Sequence, residues 1–227
     1  LYASLIMVHA TLQLSLYYYS VYPINIYIRK LKLFFMQTRL YAWLVKRVIP
    51  YIRFSTYYTS MRGWKYHKVY AAIKPGHIVL TTDKKKLTTV LIPGEFAHAC
   101  VCVSKDKVFE IAEMTHLDYT KSTVSDVCYE ADRIVVLKCS KFNRKYTQQF
   151  IDKTRSFEGV VYDDQFELGI KALSCSELVW AADTEQRLGA SLEDIAGLGR
   201  EYISPTGIYN AKNVEVVIDT DDLSQTL

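Results

Sequence analysis

The first third of the chain contains no acidic residue. Residues 1–82 hold 11 Lys or Arg and no Asp or Glu, so all 24 acidic residues lie in residues 83–227. Glycine and proline are scarce, with 9 and 5 in a chain of 227 residues. Their scarcity and a hydrophobic content of 50% exclude a collagen-like, low-complexity or disordered chain. This length favours one main hydrophobic core.

Cysteine is also sparse, and its pattern excludes several classes of protein. The five cysteines are too few for a small disulfide-stabilised secreted domain, and their odd number favours reduced thiols. A zinc set of His98, Cys100, Cys102 and Cys175 is one alternative, but Cys-x-Cys is not the usual spacing of structural zinc, and no Cys-x-x-Cys occurs. A Gly-rich phosphate-binding loop is missing as well. The sequence therefore predicts neither a metal nor a cofactor.

The charge asymmetry predicts two regions: a basic, apolar, mostly helical arm over residues 1–70, and a globular domain over residues 71–227. Residues 37–56 combine apolar positions at helical spacing with a basic face. Such a helix can bind an anionic membrane surface, in which case residues 37–70 form the contact, or it can dock on the core. Residues 1–28 are only a weak transmembrane candidate, and residues 1–35 read as an over-extended start before Met36. Short lysine runs argue against a nucleic-acid partner.

The domain reads as a mixture of strands and helices. Strands are predicted at 77–81, 98–103, 107–111, 133–138 and 214–218, and helices at 143–157, 166–173 and 174–182. Asp163 and Asp164 are interpreted as a turn before the second of these helices, with a cation site as the alternative. Several antiparallel strands with the helices packed to one side make an α+β fold.

Cys175 is the candidate nucleophile. It follows Ser174, a plausible helix N-cap, and Glu177 stands three residues after that serine as in a capping box. A cysteine in the first turn of a helix is favoured as the thiolate, and its N–H can face an oxyanion. The alternative is a buried cysteine that packs as a small hydrophobe.

His98 and Glu110 complete the predicted site. His98 opens an apolar strand and can take the thiol proton, and Glu110 lies within the next apolar strand, where a carboxylate needs a partner. If the two strands pair as a hairpin, Glu110 can hold the second nitrogen of the imidazole. We expect Cys175, His98 and Glu110 to converge.

These residues resemble the circularly permuted NlpC-type papain-like cysteine hydrolases, the YiiX/YebB-like family. The resemblance covers about residues 73–220, and its last segment is the most specific; the segments are 75–80 (PGHIVL), 96–99 (FAHA), 108–112 (VFEIA), 162–166 (YDDQF) and 174–179 (SCSELV). It implies a permuted papain-like fold in which the helix of the catalytic cysteine follows the sheet. It also implies that Cys175 is the nucleophile, His98 the base and Glu110 the orienting residue. His77 and Ser174 depart from the family's usual Asp and aromatic residue.

The function implied is thiol-dependent hydrolysis of an amide or ester through an acyl-enzyme, as in a peptidase or amidase acting on peptidoglycan peptides. The alternatives are an acyltransferase or esterase directed at acyl-lipids, and a non-catalytic binding or structural module that keeps the fold. The expected partners are a peptide, amide or acyl substrate and an anionic membrane surface. The expected location is the cytoplasm or the membrane periphery of a bacterium or its phage.

Overall fold

A computed structural model of the chain describes residues 34, 38–53, 61, 63–87, 89, 92, 94–105, 111–165, 167–194 and 200–225. The chain divides into two units, residues 1–42 and 43–227. In the first unit the structure describes Phe34 and residues 38–42, where helix α1 begins. All features below belong to the second unit, apart from the start of that helix.

The second unit is built on a six-stranded antiparallel sheet with the strand order β10-β5-β1-β2-β3-β4. Its strands are β1 (Ile78–Thr82), β2 (His98–Cys102), β3 (Ile111–Thr115), β4 (Asp118–Ser122), β5 (Arg133–Cys139) and β10 (Val214–Asp219). Two small sheets accompany it, one parallel and one antiparallel: β6 (Val161–Tyr162) with β7 (Ala172–Leu173), and β8 (Glu193–Asp194) with β9 (Glu201–Tyr202). The predicted antiparallel sheet is thus confirmed.

The helices are α1 (Arg39–Arg47), α2 (Trp64–Ala72), α3 (Val124–Glu130), α4 (Arg144–Arg155), α5 (Cys175–Ala182) and α6 (Pro205–Tyr209). Short 3₁₀ turns occupy Ile49–Tyr51 and Asp222–Gln225. Helix α5 follows the first five strands of the large sheet, as the permuted order predicts. No helix among the described residues is both long enough and apolar enough to span a membrane.

One face of the sheet packs against helices α4 and α5. Leu80, Val101 and Leu137 on the strands contact a cluster that includes Phe150 of α4 and Leu178 of α5. All five side chains are fully buried. Burial of each side chain of this size contributes about 1.5–3 kcal/mol, so this cluster holds α5 firmly against the strands that carry the site.

The second face of the sheet is covered as well, which differs from the prediction of helices on one side. Val79, Cys100 and Val136 point into a second cluster with Met61, with Val69 of α2 and with residues of α3. Both faces of β1 and β5 are apolar, so both faces require cover. Met61 and Val69 lie within the predicted arm of residues 1–70, whereas the compact unit begins at Trp43.

The segment before β2 contains Gly94, which has φ +107°, a conformation that favours glycine. A Cβ at Gly94 would clash with Thr206, whose Oγ1 accepts hydrogen bonds from the amides of Glu95 (2.8 Å) and Phe96 (3.1 Å). The helix predicted at 166–173 is wrong over its described residues, because residues 172 and 173 form β7.

Candidate active site

Cys175 occupies the first turn of helix α5, as the sequence predicts. Ser174 is the N-cap, and its hydroxyl accepts a hydrogen bond from the Glu177 amide while the Glu177 carboxylate accepts one from the Ser174 amide. This reciprocal pair fixes where the helix begins. The Cys175 amide therefore belongs to the first turn, whose N–H groups have no acceptor within the helix and carry the positive end of its dipole.

His98 lies between Cys175 and a carboxylate. Its Nε2 is 2.7 Å from Oε2 of Glu113, and its ring is hydrogen-bonded to the Cys175 side chain. Since Nε2 is used by the carboxylate, Nδ1 is the nitrogen available to the sulfur. The Cys175 sulfur also accepts hydrogen bonds from the amides of Ala99 and Ser176. The structure thus brings together the cysteine and histidine that the sequence singled out.

The three groups shift one another's pKa values. Burial opposes the imidazolium, but Cys175 and Glu113 outweigh that effect and raise the pKa of His98 to about 10. Burial also opposes the thiolate, but His98 and two amide hydrogen bonds hold the pKa of Cys175 below its usual value. The arrangement therefore favours a thiolate–imidazolium pair, which is the reactive form of such a dyad.

The carboxylate at His98 is Glu113, whereas the sequence pointed to Glu110. Glu110 lies outside the described residues. Strand β3 begins at Ile111, and its register with β2 pairs Glu113 with Cys100, two residues from His98. The second oxygen of Glu113 accepts a hydrogen bond from the Ser122 hydroxyl on β4. Burial raises the pKa of Glu113, but the bonds from His98 and Ser122 give a net lowering.

A signal for Glu113 is present in the sequence. In Ile111-Ala112-Glu113-Met114-Thr115, Glu113 is the one charged side chain of an apolar strand and is 8% exposed. A carboxylate at such a position needs a hydrogen-bonding partner. The same argument applied to Glu110, and only the register of the hairpin distinguishes the two positions.

The cysteines of the zinc alternative are held in other ways. Cys100 and Cys102 point into the second core cluster, where their thiols lie near the carbonyl oxygens of Val79 (3.6 Å) and Ser104 (3.3 Å). Among the described residues, no group of three or more His, Cys, Asp or Glu is arranged to hold a metal ion. All five cysteines are buried free thiols.

The loop after β6 lies beside the start of α5. Both carboxylate oxygens of Asp163 accept backbone hydrogen bonds, from Gln165 (2.8 Å) and Glu167 (2.6 Å). This agrees with the interpretation of Asp163 as a turn residue. Its charge acts on Glu177 in the first turn of α5.

Residues 43–53 lie near this loop and near two others at the same end of the sheet. Lys46 is 3.9 Å from Asp164, the Tyr51 hydroxyl is 3.0 Å from Nε2 of His116, and the Ile52 carbonyl accepts a hydrogen bond from Leu87 (3.1 Å). Lys86, next to Leu87, acts electrostatically on Glu113.

Comparison with known proteins gives a similar solved structure and a family match. A solved structure described as the metalloprotein yiiX from Escherichia coli O157:H7 is similar with a TM-score of 0.56 and 14% sequence identity, over 64% of this chain and 96% of that one. At this identity the likeness shows the fold alone. A search of curated proteins found no match. The model of the family described as permuted papain-like amidase enzyme, YaeF/YiiX, C92 family matches residues 72–221. This match covers more than half of the chain, and the chain therefore belongs to the permuted papain-like amidase family.

Proposed function

We propose that the protein is a thiol-dependent amidase in which Cys175 is the nucleophile, His98 the general base and acid, and Glu113 the residue that orients His98. The observation that carries this proposal is the hydrogen-bonded row Cys175–His98–Glu113. The family match supports hydrolysis of an amide, and the row supplies a nucleophile, a base within reach of it and a group that orients the base.

The reaction begins with attack of the Cys175 thiolate on the carbonyl carbon of the amide. The carbonyl oxygen becomes an oxyanion, and the N–H of Cys175 at the start of α5 is the group best placed to stabilise it. Imidazolium His98 then donates its proton to the leaving nitrogen as the C–N bond breaks. The amine departs and leaves a thioester on Cys175.

The second half of the reaction uses water. Neutral His98 takes a proton from a water molecule, and the resulting hydroxide attacks the thioester carbonyl. The C–S bond breaks, the thiolate returns to Cys175 and the carboxylic acid leaves. The Glu113 carboxylate stabilises the imidazolium, which is present before the attack and forms again in the second half, and one of the carboxylate oxygens is fixed by Ser122.

Peptide amides, including those of peptidoglycan, are the first substrate class we propose, since amide cleavage is what the family description supports. Acyl-lipid amides or esters are the second class. An exposed group of side chains beside the site favours them: Trp43, Arg47, Tyr51, Ile52 and Leu117, which we call the apolar–basic patch. Its four apolar members are between 37% and 62% exposed.

His116 lies near several members of this patch. Trp43 and Arg47 are one helical turn apart on α1, and Arg47 acts electrostatically on His116. Tyr51 packs edge-on against His116 at 5.1 Å between ring centroids, and Leu117 is the next residue. Aromatic and aliphatic side chains next to cations are typical of surfaces that bind anionic membranes, where each cation adds about 1 kcal/mol.

Membrane binding can be tested separately from catalysis. The full chain is sedimented with vesicles of phosphatidylcholine alone and with vesicles that also contain phosphatidylglycerol. We expect binding only to the anionic vesicles, with loss of binding in Leu117→Ser and Arg47→Glu. Val216→Ser is the matched control, because Val216 is an exposed apolar residue on β10, at the opposite edge of the sheet from β4. If all variants bind the vesicles equally, the apolar–basic patch is not the membrane-binding surface.

Active-site labelling tests the amidase proposal. Iodoacetamide should alkylate Cys175 at least about ten-fold faster than any other cysteine of the folded protein at neutral pH, because Cys175 has an imidazolium partner that lowers its pKa. Cys128 is the internal control, since burial raises its pKa to about 12. Peptide mapping identifies the labelled site, and His98→Ala should abolish the difference. If Cys175 reacts no faster than Cys128, the protein is better explained as a binding module that keeps the fold.

A further inference from the structure

The Glu177 side chain stands out at the start of α5. It is 1% exposed, and its Oε2 accepts a hydrogen bond of 2.7 Å from the Ser174 amide. Within the described part of the chain, its Oε1 is buried and has no hydrogen-bonding partner. A buried carboxylate oxygen without a hydrogen-bonding partner is unfavourable. The Ser174 hydroxyl alone could cap the helix, so capping does not require the Glu177 carboxylate.

A second capping box in the same protein shows the contrast. Helix α3 begins with Thr123, whose amide donates to Asp126 (2.8 Å) and whose hydroxyl accepts from the Asp126 amide (3.2 Å). Both residues of that pair are accessible to solvent. The two helices thus use the same cap, and only the cap beside the site cysteine has a buried acid.

Burial has an electrostatic consequence at this position. It raises the pKa of Glu177 to about 7, where the hydrogen bonds from Ser174 oppose the rise and the charge of Asp163 adds to it. Asp163 is the charged group that acts on Glu177 from the neighbouring loop, and Cys175 lies two residues away on the same helix. An ionised Glu177 would share the first turn of α5 with the thiolate.

We propose that Glu177 is a positioning residue for Cys175: its Oε2 holds the Ser174 amide and so fixes the turn that directs the Cys175 sulfur toward His98. This inference rests on the proposed function. Because Oε2 can accept the Ser174 hydrogen bond whether or not Oε1 carries a proton, the turn is held across neutral pH. Ionisation adds a negative charge to the helix turn that carries Cys175, two residues from it, and should make thiolate formation less favourable as the pH rises.

The experiment compares Glu177→Gln, Glu177→Ala and Glu177→Asp by the pH dependence of Cys175 alkylation. Gln keeps an acceptor for the Ser174 amide and cannot ionise, so we expect a rate within about three-fold of the wild type and loss of an inflection near pH 7. Ala has no acceptor, and we expect a rate at least about ten-fold lower with an altered profile. Asp is one methylene shorter and should behave like Ala. If the Ala variant does not fold, the Asp variant tests the same loss of the hydrogen bond to the Ser174 amide.

The matched control is Asp126→Ala, which removes the equivalent cap of α3 far from Cys175 in sequence. It should lower the melting temperature and leave the alkylation profile unchanged. A folded Glu177→Ala protein with the wild-type profile would overturn the inference, and so would a folded Glu177→Gln protein as impaired as the Ala variant. Failure of the proposed function is distinguishable, since Cys175 would then be unreactive in the wild type as well.

Discussion

Replacement of Glu113 by Gln removes one negative charge at 2.7 Å from Nε2 of His98 and keeps a hydrogen-bond acceptor of nearly the same size. The two side chains are 26% and 11% exposed, so solvent screens the pair only partly. Two unit charges about 4 Å apart interact by about 4 kcal/mol at an effective dielectric constant of about 20. The acceptor that Gln retains recovers part of this, and we expect a net loss of about 2–3 kcal/mol.

A loss of this size corresponds to roughly 1.5–2 pKa units. The pKa of His98 is raised in the wild type, so removal of the charge should bring it down. At a pH above that lower value, the Cys175 thiolate of the variant has a neutral histidine beside it and not an imidazolium. The upper end of the pH range in which the thiolate–imidazolium pair exists should therefore fall by about the same 1.5–2 units.

The assay is the rate of iodoacetamide alkylation between about pH 4 and pH 9, with the ultraviolet absorbance of the thiolate as an independent measurement. Ser122→Ala should cause a smaller shift, because it removes a hydrogen bond to Glu113 and keeps the charge. Glu110→Gln is the matched control for the position named by the sequence. The reasoning is refuted if Glu113→Gln folds normally and leaves the profile unchanged, or if Glu110→Gln causes the shift.

Three further outcomes are expected. A chain starting at residue 71 should unfold at lower denaturant concentration than one starting at Trp43, because it lacks Met61 and Val69, whose burial contributes about 1.5–3 kcal/mol each. Gly94→Ala should lower the free energy of unfolding by about 1–3 kcal/mol, measured in urea, because of its positive φ and the clash with Thr206. Glu177→Gln should be more stable than the wild type by an amount that grows between about pH 4.5 and pH 7, to about 3 kcal/mol, because the raised pKa makes ionisation of Glu177 unfavourable in the folded state. A constant difference across that pH range would contradict the last of these.

The start of the cysteine helix could be predicted from the sequence because its signal is local. Ser174 and Glu177 are three residues apart, and the capping box they form involves no other part of the chain. The strand at His98 was predictable for a similar reason, since His98 is followed by a short continuous run of apolar residues, which is typical of a strand buried on both faces. Local sequence is therefore enough to predict that Cys175 begins a helix and that His98 begins a strand.

Glu113 could not be chosen over Glu110 in the same way. In the sequence both carboxylates stand among apolar residues, and the choice depends on which residues of this segment pair with β2. A shift of the strand register by one residue moves every side chain of the strand to the other face of the sheet. An error in the predicted length of the loop therefore changes which carboxylate is expected to face His98. The packing of residues on the second face of the sheet could not be predicted for another reason. Met61 and Val69, which pack there, lie in a segment whose basic charge suggested an arm outside the core.

The five cysteines show how environment decides the chemistry of one residue type. Burial raises the pKa of Cys100, Cys128 and Cys139, each of which lies in a core cluster without a cation beside it that outweighs burial. Cys175 is equally buried, yet its pKa is lowered because His98 and two amides stabilise the negative charge. Burial alone would therefore make the Cys175 thiol as unreactive as those of Cys100, Cys128 and Cys139. The imidazolium, itself dependent on the buried carboxylate of Glu113, is what separates Cys175 from the others, and a variant without that carboxylate should make its reactivity approach theirs.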